Sequence, residues 1–181
     1  MPDRLWAPWR LAYVEKDATQ RPVADDGRTC VFCLPPDGEA GGDRARLVVR
    51  REARAFAVLN RYPYGSGHVL VCPRTHVGDP LDLPVGDRAA VDDLLWRTVA
   101  AVRAAFRPDG LNVGLNLGEA AGAGVTGHVH WHVLPRWNGD INYVTTLADV
   151  RVLPQALDAA WQALAAAFGS AEGGAEGTEG P

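Results

Sequence analysis

His128-Val129-His130-Trp131-His132 runs without interruption into Val133-Leu134-Pro135-Arg136-Trp137 and holds three of the chain's five histidines. Read as a strand, the segment sends successive side chains to opposite faces. The three imidazoles then line one face about 6.5 Å apart while Val129, Trp131 and Val133 line the other. One strand thus carries a chemical site on one side and a piece of core on the other. Three polar residues facing water on an edge strand would fit the same pattern, but such positions are ordinarily filled by Thr, Lys or Glu. Histidine titrates near neutrality, ligates metals and attacks electrophiles, so the cluster is read as functional.

Working back from this strand, Gly118 to Gly127 is a Gly/Ala-rich loop, and Leu111 to Gly118 alternates as a strand. Before it, Val91, Leu94, Leu95, Val99, Val102 and Phe106 recur at helical spacing, opened by Gly86-Asp87 as a cap and closed by Pro108-Asp109-Gly110. Three short apolar runs precede that helix: Leu47 to Arg50, Ala55 to Leu59 and His68 to Cys72, separated by turn-forming residues as antiparallel strands would be. Beyond the histidines, a last helix is expected from near Pro154, with Leu157, Trp161, Leu164 and Phe168 on its buried stripe and Gly169 ending it. The order is that of an α+β domain, an antiparallel sheet with helices packed on it. Residues 15–29 and 34–45 read as loops around Cys30 and Cys33. The stretch from Gly169 to Pro181 has no large apolar residue and reads as a disordered tail. The expected division is an N-terminal segment with the C-x-x-C knuckle (1–45), a core domain (46–137), an extension with its helix (138–168) and the tail (169–181). Trp6 and Trp9 make the N-terminal segment too apolar for a tail, so it should dock on the domain or on a second subunit.

The 181 residues suffice for one domain with a real core. A formal net charge of -4 gives no general footprint for nucleic acid or an anionic membrane. No run approaches a bilayer span, and Met1-Pro2-Asp3-Arg4 lacks the order of a secretory signal, so a cytoplasmic location is expected. Three cysteines make no disulfide framework.

Cys30-Val31-Phe32-Cys33 has the spacing of half a tetrahedral zinc site. Two buried small residues or a redox pair would show the same spacing, although no helix begins there as a thioredoxin-like pair requires. His76, in a loop after a strand, and His128 would complete a Cys2His2 set. Four protein ligands leave no open position, so the zinc would be structural. Cys72 reads as a buried apolar residue. His68 opens a strand and is either a capping polar residue or a contact of the site. The loop from Gly118 to Gly127 offers backbone N–H groups to a phosphate, yet it is neither a Walker A loop nor a dinucleotide fingerprint. Arg61, Arg74 and Arg136 border these elements as sources of local positive charge, and Asn60, Asn112 and Asn116 are either structural hydrogen-bonders or substrate contacts.

These residues resemble a known family. His128-Val129-His130-Trp131-His132-Val133-Leu134 resembles the motif of the histidine triad (HIT) superfamily. Phe56 to Pro73 resembles the first sequence block of its fragile-histidine-triad branch. Gly110 to Gly118, Pro135-Arg136-Trp137 and Arg4 to Arg10 are similar to the bacterial diadenosine tetraphosphate phosphorylases of that branch. The likeness spans roughly residues 4–14 and 46–165. It implies a HIT fold, a homodimer and cleavage of nucleotides at the α-phosphorus. By position His130 matches the nucleophile and His132 the contact to the α-phosphate. Asn60 and Asn116 match amides of the substrate pocket, and Gly122, Ala123, Gly124, Val125 and Thr126 match the phosphate-binding stretch. Where the branch commonly holds Gln or Ser, this chain has Ala123-Gly124, leaving backbone amides and Thr126. The family's zinc pattern carries over to Cys30, Cys33, His76 and His128, although the phosphorylases typically lack it.

The activity so implied is cleavage of a dinucleoside polyphosphate, diadenosine tri- or tetraphosphate, through a covalent nucleotidyl-histidine resolved by water or phosphate. Two alternatives stand beside it. Hydrolysis of nucleoside phosphoramidates or related 5′-nucleotide derivatives is opposed by the Pro135-Arg136-Trp137 ending. A nucleotide-binding protein with little turnover is opposed by the intact triad.

Overall fold

Ala55–Leu59 (β2) and Val69–Pro73 (β3) pair antiparallel as a fully buried hairpin, Phe56 opposite Cys72 and Val58 opposite Leu70. Both strands are continuous runs without a charged residue, buried at every position, which suits a sheet covered on each face. The computed structural model describes residues 30–33, 42–140 and 156–173. Its elements are α1 (Gly42–Ala45), β1 (Val48–Arg51), β2, β3, α2 (Val85–Phe106), β4 (Gly110–Leu115), β5 (Trp131–Arg136) and α3 (Leu157–Gly173). The sheet is five-stranded and antiparallel, in the order β1-β2-β3-β5-β4, so the last strand inserts between β3 and the outer strand β4. This is the α+β architecture expected from the pattern.

The two faces of the sheet differ. Ala55, Ala57, Leu59, Val69, Val71 and Val133 meet Val91, Leu94, Leu95 and Val102 of α2 and Ala160, Leu164 and Phe168 of α3 in the main core. Val48, Phe56, Val58, Leu70 and Cys72 form a smaller apolar cluster on the opposite face, with Phe32 packed against it. Cys72 is thus core, as expected. Directly opposed residues share a face, so pairing of Leu70 with His132 puts that imidazole on the smaller cluster's side, away from the helices.

Several boundaries differ from the expectation. α2 starts at Val85 behind Pro84 rather than at a Gly86-Asp87 cap. The Asp87 carboxylate accepts hydrogen bonds from Arg54 Nη1 (2.6 Å) and Thr75 Oγ1 (2.5 Å) instead of capping the helix. Its far end is as predicted: Arg107 takes a left-handed conformation with its N–H on the Arg103 carbonyl, and Pro108 prevents continuation. Residues 42–45, expected to be loop, form a single helical turn. α3 runs through Gly169 to Gly173, so residues 169–173 are not tail. One exposed glycine costs about 1 kcal/mol in a helix, too little to stop an alanine-rich segment. The expectations for 1–29, for most of the loop after Cys33, for 141–155 and for 174–181 lie outside the described residues. Among the described residues no helix is long and apolar enough to cross a membrane.

Candidate functional site

The ladder of β5 begins at Trp131, three residues later than the histidine pattern suggested, because the preceding segment bonds to the loop after β3 instead. Val129 N–H donates to the Val77 carbonyl at 2.7 Å, and His128 Nε2 lies 2.9 Å from the carbonyl of Pro73. Gly78 permits this close approach, since a Cβ there would stand 2.5 Å from the Thr126 carbonyl oxygen. His128 is fully buried, His130 nearly so, and His132 partly so.

The hydrogen bonds fix which nitrogen of each imidazole carries the proton. A carbonyl only accepts, so His128 Nε2 and His130 Nδ1, the latter 2.8 Å from the His128 carbonyl, are N–H groups. In the neutral ring the lone pair then sits on His128 Nδ1 and on His130 Nε2. At His68 the direction is reversed. The backbone N–H of Tyr64 (3.1 Å) and the Asn60 side-chain amide (3.2 Å) both donate to Nδ1, and Asn60 Oδ1 is held by the Tyr62 N–H at 2.9 Å. The remaining His68 proton is therefore on Nε2, which donates to His132 Nδ1 at 2.9 Å. His132 in turn carries its proton on Nε2, a buried atom with no partner among the described residues. Adjacent histidines of one strand thus present opposite chemistry: a lone pair from His130 and a donor from His132.

Burial keeps both rings neutral at physiological pH. It pushes the His132 pKa down to about 4, helped by the neighbouring His130. It also lowers that of His130, against the opposing pull of the His128 carbonyl.

His68 and Asn60, expected among the substrate contacts, lie behind the triad and bond to it and to each other. His68 has no exposed surface and stands behind His132, while the Asn60 amide is committed to His68 and Tyr62. Asn116 lies just past β4, two residues from Gly114, which pairs with His132, so strand alternation places it on the histidine face. In the Gly-rich loop the N–H groups of Gly122 and Ala123 turn inward, to the carbonyls of Glu119 (2.9 Å) and Gly118 (3.2 Å). Gly124, Val125 and Thr126 have no backbone partner among the described residues. The three arginines do not converge: Arg136 binds Asp140 and Asn112, Arg74 the Glu52 carbonyl and Arg61 the Ala45 carbonyl.

Two aromatic residues belong to the site that the motif reading passed over. The Tyr64 ring lies nearly parallel to His132 (centroids 5.8 Å, 13°) and 4.8 Å from His68. Phe32 packs on His130 at 4.9 Å. The only sequence signal for either was proximity to a motif, since ring contacts leave no spacing rule.

Cys30, Cys33, His76 and His128 bring one ligand atom each to within 4.8 Å of one another. Cys30 Sγ is 3.4 Å and Cys33 Sγ 3.8 Å from His128 Nδ1, and Cys33 Sγ is 3.3 Å from His76 Nδ1. Tetrahedral zinc with ordinary Zn–S and Zn–N lengths separates sulfur from nitrogen by about 3.6 Å, so the cluster fits such an ion. The lone pair of His128 faces the cluster while its other nitrogen donates to a carbonyl, the arrangement common for metal-ligating histidine. Cys30 and Cys33 are free thiols, not a disulfide.

A family model, the HIT domain, matches residues 43–139. The AP-4-A phosphorylase of Mycobacterium tuberculosis (strain H37Rv) is 37% identical over 156 residues, covering 85% of this chain and 78% of its own. An uncharacterized HIT-like protein of Saccharolobus solfataricus is 32% identical over 111 residues, 61% of this chain and 76% of its own. Among solved structures, a Zn-bound histidine triad family protein from Mycobacterium smegmatis superposes with a TM-score of 0.61 at 28% identity, covering 80% of this chain and 96% of that one. A histidine triad nucleotide-binding protein from Sulfolobus tokodaii, at 23% identity and a TM-score of 0.61, covers 79% of this chain and 94% of its own and shares the fold.

Proposed function

Because the chain belongs to the HIT domain family, we propose that it is an enzyme cleaving dinucleoside polyphosphates at the α-phosphorus, with diadenosine tetraphosphate as substrate and inorganic phosphate as acceptor. The observation that carries this reading is the opposed pair of tautomers: lone pair on His130 Nε2, proton on His132 Nε2. The 37% identity to an AP-4-A phosphorylase supports the substrate and the acceptor.

In this reading His130 Nε2 attacks the α-phosphorus in line, and the bond to the bridging oxygen breaks, releasing ATP. The ring keeps its Nδ1 proton on the His128 carbonyl, which stabilises the positive charge it gains. His132 Nε2–H, with the N–H groups of Gly124, Val125 and Thr126, donates to the charged oxygens of the transferring group, the largest source of rate in such sites. Asn116 contacts the substrate from the same face. Asn60 and His68 act through His132. A phosphate oxygen then displaces His130 and forms ADP, returning the lone pair to Nε2.

Zinc held by Cys30, Cys33, His76 and His128 would supply cross-linking, fixing the start of the histidine segment against the loop after β3, with no part in the chemistry. A homodimer with a cytoplasmic location completes the proposal, which includes no nucleic-acid or membrane partner.

Incubation with diadenosine tetraphosphate, with and without phosphate and with products resolved by chromatography, tests the reading. ADP plus ATP that appears only with phosphate is expected. AMP plus ATP, or two ADP, in its absence would make water the acceptor, and no turnover under either condition would overturn the proposal.

A further inference from the structure

Phe32 stands between the two cysteines of the knuckle in sequence, and its ring packs on the histidines. Its centroid is 4.9 Å from that of His130, at 43°, and 5.7 Å from that of His128, edge-on at 73°. The turn that holds it is compact: Cys33 N–H donates to the Cys30 carbonyl at 3.2 Å, and Phe32 N–H to Cys30 Sγ at 3.4 Å. Phe32 also packs against the smaller apolar cluster, whereas its neighbour Val31 is 68% exposed. The knuckle therefore turns one of its two inner residues to solvent and presses the other on the site.

His130 needs such a wall. Its one ring hydrogen bond among the described residues, at Nδ1, leaves the ring free to rock about that contact, and the torsion of an imidazole about its Cβ–Cγ bond is broad. The His132 ring, 5.1 Å away at 58°, limits the swing from one direction. We propose that Phe32 is a positioning residue for His130: it closes the other direction, and the cysteine knuckle thereby holds the imidazole through an aromatic contact. The proposal rests on the reading of His130 as nucleophile. In-line attack is sensitive to such placement, a misplacement of about 1 Å costing on the order of a hundredfold in rate.

The test compares Phe32→Ala, Phe32→Leu and Val31→Ala in the full, zinc-replete chain, with diadenosine tetraphosphate and phosphate as substrates. For Phe32→Ala, kcat should fall roughly tenfold to a hundredfold with KM little changed. Phe32→Leu should recover part of the loss by restoring bulk, and Val31→Ala should behave as wild type. Zinc content should match wild type in all three. In Phe32→Leu the ring-proton resonances of His130 should move as the aromatic shielding is lost, a readout independent of turnover. Unchanged kcat in Phe32→Ala with zinc retained would overturn the proposal, as would loss of zinc from both Phe32 variants, which would make the residue part of the metal loop alone. An acid-labile nucleotidyl adduct on wild type separates the two levels of argument. Its absence sinks the nucleophile reading, whereas an adduct that forms as fast in Phe32→Ala sinks only the role of Phe32.

Discussion

His68 Nε2 stands 2.9 Å from His132 Nδ1, and the bond has one direction because the N–H of Tyr64 occupies the other nitrogen of His68. A buried residue with no exposed surface thus decides which nitrogen of its neighbour is the donor. His68→Leu should lower kcat roughly tenfold to a hundredfold, the usual cost of losing a residue that orients a reacting group. His68→Gln, whose amide can still donate to His132, should keep more of the activity. Steady-state kinetics of the two variants check this, and equal losses would show that His68 matters only as packing.

His130→Ala should abolish turnover and the acid-labile adduct while leaving the fold intact, because the opposite face of the strand stays packed through Trp131 and Val133. His132→Ala removes one donor and should retain activity reduced by roughly 10²–10³-fold. Full activity in the His130 variant would end the covalent mechanism.

Purified protein should hold about one zinc per chain by elemental analysis. Cys30→Ser, Cys33→Ser and His76→Ala should each lose it, with a melting temperature lower by roughly 4–8 °C, about 2 kcal/mol for a chain of this size. Zinc undiminished in His76→Ala would remove the loop histidine from the site.

Stability should depend on pH through His132. The unfolded chain takes up this proton near 6.5, the folded protein at about 4. Between those values the unfolded state binds the extra proton, so the contribution is fully present above about pH 6.5 and is lost as the pH falls towards 4. The urea midpoint of His132→Asn should therefore drop less than that of wild type on acidification across this window. Protonation of the metal ligands acts on both proteins and cancels in the comparison. Parallel curves would show that His132 titrates alike in both states.

What could be read in advance follows from what has a period or a fixed spacing. Ala55 to Leu59 was bounded to the residue by its apolar run, and Cys30, Cys33, His76 and His128 do assemble, since ligand type and geometry constrain such a set. Hydrogen-bond direction has no such signature. Nothing in the order of residues shows that Asn60 turns its amide to His68 or that Gly122 and Ala123 point their N–H groups into their own loop. Ring contacts are equally silent, which is why Phe32 and Tyr64 went unnoticed beside better-known neighbours. Gly169 shows the opposite error, a local stop signal outweighed by the helix-forming residues on either side.

The place of β5 between β3 and β4 also limits how this sequence can change over generations. Leu70 opposite His132 on one side and Gly114 on the other fix its register from both edges. Exchange of a side chain alters one contact, but the gain or loss of a single residue between His128 and Val133 would turn every later side chain to the other face. Val133 would then enter the site, and an imidazole would lie among Val69, Val71 and Val102. Length is therefore frozen along this strand, and insertions are accommodated outside it, as beyond Arg136 where the ladder has ended.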